Sequence, residues 1–136
     1  MSNYYWPASG SGATPSQIEA AIDAALAAFF PTDVLSQIYH ANSVNNVTTS
    51  FTEVGGAGQG TIPAGTKKIQ VSSTTGKPLQ FGIGANAGAA VAKFNIVAGG
   101  GPIEFPVQFA AADILCVLNL DAGTISTGNF VINFLG

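Results

Sequence analysis

Residues 113–136 read DILCVLNLDAGTISTGNFVINFLG, and the alternation within this stretch decides the fold class. Its first arm, residues 114–120, is apolar at nearly every position, and its second arm alternates from Phe130 through Ile132 to Phe134. A period of two with aromatic and β-branched residues indicates strands, and an apolar run is typical of a strand buried on both faces. The link AGTISTG holds two glycines and three hydroxyl side chains, which predicts a loop. We therefore expect residues 113–136 to form the closing hairpin of a β-domain.

The chain that precedes this stretch, from Val47 onward, shows short strand patterns separated by turn signals. The predicted strands are residues 47–54, 67–73, 78–84, 91–98 and 103–110. Residues 32–46 are ambiguous, and their pattern is compatible with one more helical turn followed by a strand near residues 35–41. Pro106 has no backbone N–H to donate, which predicts an edge strand or a bulge at that position. The resulting seven or eight strands, at fairly even spacing, are typical of a β-sandwich or a small barrel.

Residues 16–30 predict the one clear helix of the chain. Ser16 and Glu19 match the S-x-x-E pattern of a capping box, and Pro31 is expected to end the helix. Apolar residues recur along it at spacings of four, three and four: Ile18, Ile22, Ala25 and Phe29. This stripe could pack on the β-domain of the same chain or form an oligomer seam against copies of itself.

Residues 1–15 predict an extended N-terminal arm. An aromatic cluster opens it, followed by the flexible linker ASGSGATP. The residues of that cluster are Tyr4, Tyr5, Trp6 and Pro7. Either the cluster anchors the protein to a partner or the arm is a disordered tail with incidental aromatic residues. The predicted organisation is thus an arm at 1–15, a helix at 16–30 and a β-sandwich domain at 31–136.

The charge content of the chain is low. Charged residues make up 8% of its 136 residues, against about 25% in ordinary soluble domains, and four lysines are the only permanent cations. A surface with so little charge favours a component of a larger assembly. The net charge of −3 and the lack of a basic cluster argue against a nucleic-acid partner. No apolar run approaches the roughly 18 residues that a membrane span requires, so we expect no membrane partner.

The side chains that could take part in catalysis do not form a recognisable catalytic pattern. Cys116 lies among apolar neighbours and is expected to be buried and inert, and His40 is expected to be structural. Asp113 and Asp121 flank a predicted strand, about eight residues apart at about 3.4 Å each, which is too far for a catalytic carboxylate pair. The glycines at 82–84 lack the spacing of a dinucleotide-binding loop. We therefore predict no catalytic residue, cofactor or metal, and a protein that is not an enzyme.

Three segments resemble structural proteins of tailed-bacteriophage virions, especially small trimeric decoration and fibre-like proteins. They are NYYWPASGSG (3–12), GTIPAGTKKIQVSS (60–73) and LDAGTISTGNFVINFLG (120–136). The resemblance implies a β-sandwich or jelly-roll fold and a protein that is made in the host cytoplasm and located in the virion. The partners it implies are the major capsid protein or another virion structural protein, and a homotrimer of the chain itself.

Two functions of different classes follow from the sequence. The first is a structural virion protein that attaches through its arm and decorates or stabilises the particle as an oligomer. The alternative is a receptor- or glycan-binding module of a phage tail or fibre tip. A small hydrolase, the third possibility, has no supporting motif.

Overall fold

A computed structural model describes residues 12–29, 33–99 and 101–136. The chain divides into two structural units, residues 1–32 and residues 33–136. The described part of the first unit contains the helix α1 (Pro15–Phe29), and the second unit contains eight strands and a short 3-10 helix at Ala87–Ala89. The strands are β1 (Val34–Ala41), β2 (Thr52–Glu53), β3 (Lys68–Ser73), β4 (Leu79–Gly84), β5 (Val91–Ile96), β6 (Ile103–Pro106), β7 (Ile114–Asn119) and β8 (Asn129–Leu135).

The eight strands form two four-stranded antiparallel sheets, ordered β1-β8-β3-β6 and β2-β7-β4-β5. The strands pair in a nested antiparallel order, as in one long hairpin folded over on itself: β4 pairs with β5, β3 with β6, β2 with β7 and β1 with β8. Alternate pairs of this hairpin lie in opposite sheets, which is the arrangement of an eight-stranded jelly roll. The prediction of a mainly β, jelly-roll-like sandwich is confirmed.

The closing hairpin predicted for residues 113–136 is wrong. Both arms are strands, but β7 lies between β2 and β4 in one sheet, whereas β8 lies between β1 and β3 in the other. The link, residues 120–128, is longer than the loops of about two to five residues that join ordinary hairpins. This link contributes to the core as well, because Ile125 is buried and forms an isolated bridge with Val47.

The predicted strand at 47–54 is much shorter in the structure. Only Thr52 and Glu53 form strand β2, with Val47 held separately by its bridge. The hydroxyl of Thr48 donates to the Ser50 carbonyl and accepts from the Ser50 N–H. Such local side-chain bonds compete with sheet pairing, which explains why the strand is interrupted here.

Two other sequence predictions about strands are settled by the sheet order. The ambiguous residues 35–41 form strand β1, which pairs with β8 along most of its length. Pro106 ends strand β6, which lies at the edge of its sheet, as predicted for a proline in a strand pattern.

Aromatic rings connect the two sheets through the core. His40 of β1 stacks on Phe130 of β8 at 4.2 Å between ring centroids, and Phe130 meets Phe81 of β4 edge-on at 5.9 Å. Phe81 then stacks on Phe94 at 5.1 Å, and Phe94 stacks on Phe105 of β6 at 4.0 Å. Pairs of this kind contribute about 0.5–1.5 kcal/mol each beyond the area they bury. The row of rings therefore packs the two sheets against each other.

Helix α1 begins one residue earlier than predicted, and its capping box is a different one. The backbone N–H of Thr14 donates to Gln17 Oε1 at 2.9 Å, and the Gln17 N–H donates to Thr14 Oγ1 at 3.3 Å. Pro15 occupies the first helical position, where its missing N–H costs no helical hydrogen bond, so the preceding residue becomes the cap. The prediction of a capping box at Ser16 and Glu19 is wrong.

Candidate functional site

The predicted partner-binding residues of the arm lie outside the described residues. They are Tyr4, Tyr5, Trp6 and Pro7. Their role in attachment stays a prediction from the sequence.

The predicted oligomer seam lies on α1. Ile18 is half-buried, Ile22 is 54% exposed and Ala25 is exposed, while the side chain of Phe29 lies outside the described part. Leu26, beside the stripe, is 50% exposed. The middle of this helix therefore carries apolar side chains that are about half accessible, and the seam itself stays a prediction.

His40 is held by hydrogen bonds at both ring nitrogens. Nε2 donates to the Asn45 carbonyl oxygen, 2.7 Å away, and Nδ1 accepts from the Gly55 N–H at 2.8 Å. This pattern fixes the neutral ring with its proton on Nε2. Burial lowers the pKa of His40 below 6.5, and the bond to the Asn45 carbonyl opposes that shift. These contacts match the structural role predicted for this histidine.

A cavity of about 400 Å³ opens beside β2. The ring of Phe51 covers Gly82 of β4, where an added Cβ would lie 2.7 Å from Cζ of that ring. The described residues that line the cavity include one carboxylate, Glu53, and no Lys or Arg. The lining is His40, Asn45, Asn46, Phe51, Thr52, Glu53, Gly56, Ala57 and Ala87. Such a cavity suits a neutral or cationic group that packs on the ring and donates hydrogen bonds.

Glu53 and Cys116 lie opposite each other in the β2–β7 pair. Glu53 Oε2 accepts a hydrogen bond from the Gly60 N–H at 2.7 Å, which fixes the carboxylate against the following loop. Cys116 has no accessible surface, and burial, aided by the charge of Glu53, raises the pKa of its thiol to about 11. Because the thiolate is the reactive form, the burial and the raised pKa predict that this thiol reacts slowly near neutral pH. The predicted burial of Cys116 is confirmed.

An outer polar row crosses all four strands of the β1-β8-β3-β6 sheet, on the face opposite the core. Gln37 Nε2 donates to Asn133 Oδ1 at 2.7 Å, and Asn133 Nδ2 donates to Gln70 Oε1 at 2.9 Å. Gln70 Nε2 donates to Glu104 Oε2 at 3.3 Å, and Glu104 Oε1 lies 3.9 Å from the Lys68 ammonium. The row ends at Gln37, on the free edge of β1.

Neither the cavity nor the outer polar row was identified from the sequence. Period-two alternation places each of the four row residues on an outward face, but their alignment depends on strand register, which no local pattern gives. The cavity had one usable signal, because a glycine inside a strand, such as Gly82, often marks the close approach of another group.

Residues 12–29, 33–99 and 101–136 contain no group of three or more His, Cys, Asp or Glu side chains placed to hold a metal ion. In the part of the chain that the structure describes, no helix has the length and apolarity needed to cross a membrane. Comparison of the chain with protein-family models, curated proteins and solved structures finds no match.

Proposed function

We propose that the chain is a structural subunit of a tailed-phage particle and has no enzymatic role. Its arm attaches to the major capsid protein or another virion structural protein, and its subunits associate as homotrimers. The observation that carries this proposal is the apolar surface of α1, where Ile22 is 54% and Leu26 50% exposed. The phage context rests on the sequence resemblance of residues 3–12, 60–73 and 120–136.

Burial of the helical seam supplies only part of the free energy that association into a trimer requires. Fully burying an Ile or Leu side chain contributes roughly 1.5–3 kcal/mol, so covering the exposed half of Ile22 and of Leu26 contributes about 1 kcal/mol each. Three helices would therefore gain about 6 kcal/mol. Joining three subunits costs at least about 8 kcal/mol, taking the lower bound for each of two associations. The β-domains must supply the larger part of the interface, and the helices add to it.

The proposed mechanism is stabilisation by mass action. A subunit that binds only the assembled particle lowers the free energy of that state by its binding energy. The jelly-roll fold is also used by viral capsid and lectin domains, which agrees with the proposal as an analogy between folds and not as a demonstration of function.

The seam is tested by sedimentation of the full chain at micromolar concentration. We expect a trimer for the wild type and its loss or weakening for Ile22→Asp, which places three carboxylates around one axis. Ala24→Asp is the matched control, because Ala24 lies on the opposite side of the helix and is exposed. A wild-type monomer, with Ile22→Asp behaving identically, rejects both seam and trimer. An oligomer in which Ile22→Asp lowers only subunit stability rejects the seam alone.

Attachment is tested on particles purified from cells that carry the genome encoding the chain. We expect the chain to sediment with the particles, and deletion of residues 1–11 to release it while leaving the domain folded. This deletion retains the capping pair Thr14 and Gln17, so helix α1 is preserved. Normal incorporation of the truncated chain would show that the arm is not the attachment site. Absence of the chain from complete particles would reject the proposed function.

A receptor- or glycan-binding module is the second candidate, and the cavity beside β2 favours it. Phe51 offers an aromatic face there, and Asn46 and Glu53 offer hydrogen-bonding groups. A second groove, of about 300 Å³, contains Tyr39, which is 60% exposed, beside Ser72. A glycan array should then give selective binding that Phe51→Ala or Tyr39→Ala removes. Uniformly negative arrays would reject this candidate and leave the structural role intact.

A further inference from the structure

Several polar groups that line the cavity beside β2 already have hydrogen-bond partners within the chain. Thr52 Oγ1 donates to the Val117 carbonyl oxygen at 3.3 Å. Both ring nitrogens of His40 are bonded, and Asn45 Nδ2 donates to the Gly55 carbonyl oxygen at 3.1 Å. These groups build the wall of the cavity and are not needed to explain what it would bind.

The polar groups that stay free in the cavity are mainly acceptors. Glu53 Oε2 accepts a hydrogen bond from the Gly60 N–H, but in the described part of the chain neither Glu53 Oε1 nor Asn45 Oδ1 forms one. The exposed amide of Asn46 adds a donor and a further acceptor. Carboxylate and amide oxygens accept hydrogen bonds, so the cavity favours a ligand that donates them.

The charge of the cavity points the same way. Glu53 is the one carboxylate among the described lining residues, which include no Lys or Arg, and the ion pairs of the described residues involve other carboxylates. This side chain is half-buried, where charge interactions are stronger than in bulk water. A cationic ligand would therefore gain a charge-assisted hydrogen bond from Glu53 and a cation–π contact from the ring of Phe51.

We propose that the cavity beside β2 binds an amino sugar whose protonated amine contacts the Glu53 carboxylate. The inference rests on the second candidate function, a glycan-binding module, and names the class of glycan. A volume of about 400 Å³ is larger than an ammonium group alone occupies and lies within the range of about 300–1,000 Å³ for small-molecule sites. It suits an ammonium group on a sugar ring, whose C–H groups pack on Phe51 and whose hydroxyl groups donate to the amide oxygens of Asn45 and Asn46.

The walls of the cavity are held in place before any ligand binds. The Asn45 carbonyl oxygen is bonded to His40 and its amide to Gly55, so the two loop segments on either side of β2 are tied together. The Gly60 N–H holds the Glu53 carboxylate at 2.7 Å. Because these groups are already ordered, less conformational entropy is lost when a ligand binds.

The first test is titration calorimetry of the full chain with β-linked trimers of glucosamine, N-acetylglucosamine and glucose, in a buffer that keeps the amine protonated. These sugars differ only at C2, which carries an ammonium, an acetamide or a hydroxyl group. We expect the glucosamine trimer to bind about tenfold more tightly than either of the others, because hydrogen bonds to charged groups are stronger than neutral ones. Equal affinities overturn the inference but support glycan binding. No binding of any trimer overturns the inference alone, because the glycan array tests the candidate function with other sugars.

The second test separates the cavity from general attraction between a cationic sugar and a chain with a net charge of −3. Glu53→Gln keeps an oxygen that can accept from the Gly60 N–H but removes the charge, so the preference for the glucosamine trimer should disappear. Glu104→Gln, which changes an exposed carboxylate on β6, is the matched control and should keep the preference. A preference that survives Glu53→Gln, or that both variants lose equally, overturns the inference. Equal melting temperatures show that both variants are folded.

A lysine side chain of a protein partner is another source of a primary ammonium group, and Nα-acetyl-lysine amide is the probe for it. We expect this probe to bind more weakly than glucosamine, because its alkyl chain leaves the amide oxygens of Asn45 and Asn46 without donors. Tighter binding of the lysine probe, removed by Glu53→Gln, would assign the cavity to a protein partner and overturn the assignment to an amino sugar.

Discussion

Replacing His40 with Phe should destabilise the β-domain at neutral pH and remove part of its acid sensitivity. The substitution keeps an aromatic ring against Phe130 but leaves the Gly55 N–H and the Asn45 carbonyl without their partners. An unpaired buried polar group costs about 1–3 kcal/mol. Both hydrogen bonds are only partly buried, so we expect the free energy of unfolding to fall by about 2–4 kcal/mol in total.

The pH dependence follows from the lowered pKa of His40. The unfolded chain takes up a proton on this ring near pH 6.5, whereas the folded chain resists it because the ring is buried. The contribution of His40 is therefore constant above that pH, and stability is lost as the pH falls from 6.5 towards the lower pKa of the folded state. His40→Phe cannot bind this proton, so its stability should change less over the same range.

Urea unfolding followed by circular dichroism, at about pH 8 and about pH 5.5, measures both effects. The chain has one histidine, so no other imidazole contributes to the difference. Tyr39→Phe, on the same strand but exposed, is the control and should change stability by less than about 0.5 kcal/mol. Equal stability of His40→Phe and the wild type at pH 8, or an equal loss in acid, would refute the reasoning.

Three further predictions concern residues elsewhere in the fold. Cys116 should react slowly with a thiol reagent in native buffer and rapidly in denaturant, and fast native labelling would contradict its burial and raised pKa. Gly82→Ala should destabilise the domain by about 1–3 kcal/mol in thermal melts, because its Cβ would lie 2.7 Å from the covering aromatic ring, whereas Gly76→Ala, with open space around it, should be tolerated. Thr14→Ala should reduce helix content by circular dichroism and cost about 1 kcal/mol, whereas Ser16→Ala should have little effect; the reverse result would restore the capping box predicted from the sequence.

Local patterns in the sequence predicted where strands occur but not which strands pair. Alternation from Phe130 to Phe134 located β8, and the consecutive apolar residues 114–118 located β7. The two strands looked like a hairpin because they are adjacent in the chain. In the structure β8 pairs with β1 and β7 pairs with β2, and both partners lie far earlier in the sequence. This pairing is set by the burial of the inner faces of both sheets in one core.

The surfaces of the protein were less predictable than its core. The exposed stripe on α1 could be located from the spacing of Ile18, Ile22 and Ala25, since helix period is a local property. The outer polar row and the free edge of β1 depend on which strands are neighbours, so they emerge only from the completed topology. Two overlapping capping patterns compete at the start of α1, Thr14 with Gln17 and Ser16 with Glu19. Pro15 decides between them because it occupies the first helical position.

Strand β8 has a consequence for synthesis on the ribosome. It lies between β1 and β3 and follows both in the chain, so neither strand has this partner until translation has reached residue 135. Only the pair of β3 with β6 can form earlier in that sheet. A nascent chain therefore holds β1 without this partner until β8 has been made, a situation that favours chaperone binding or misassembly. Synthesis of β8 pairs β1 on one side and joins it to β3, so the β1-β8-β3-β6 sheet is completed only after residue 135 has been translated.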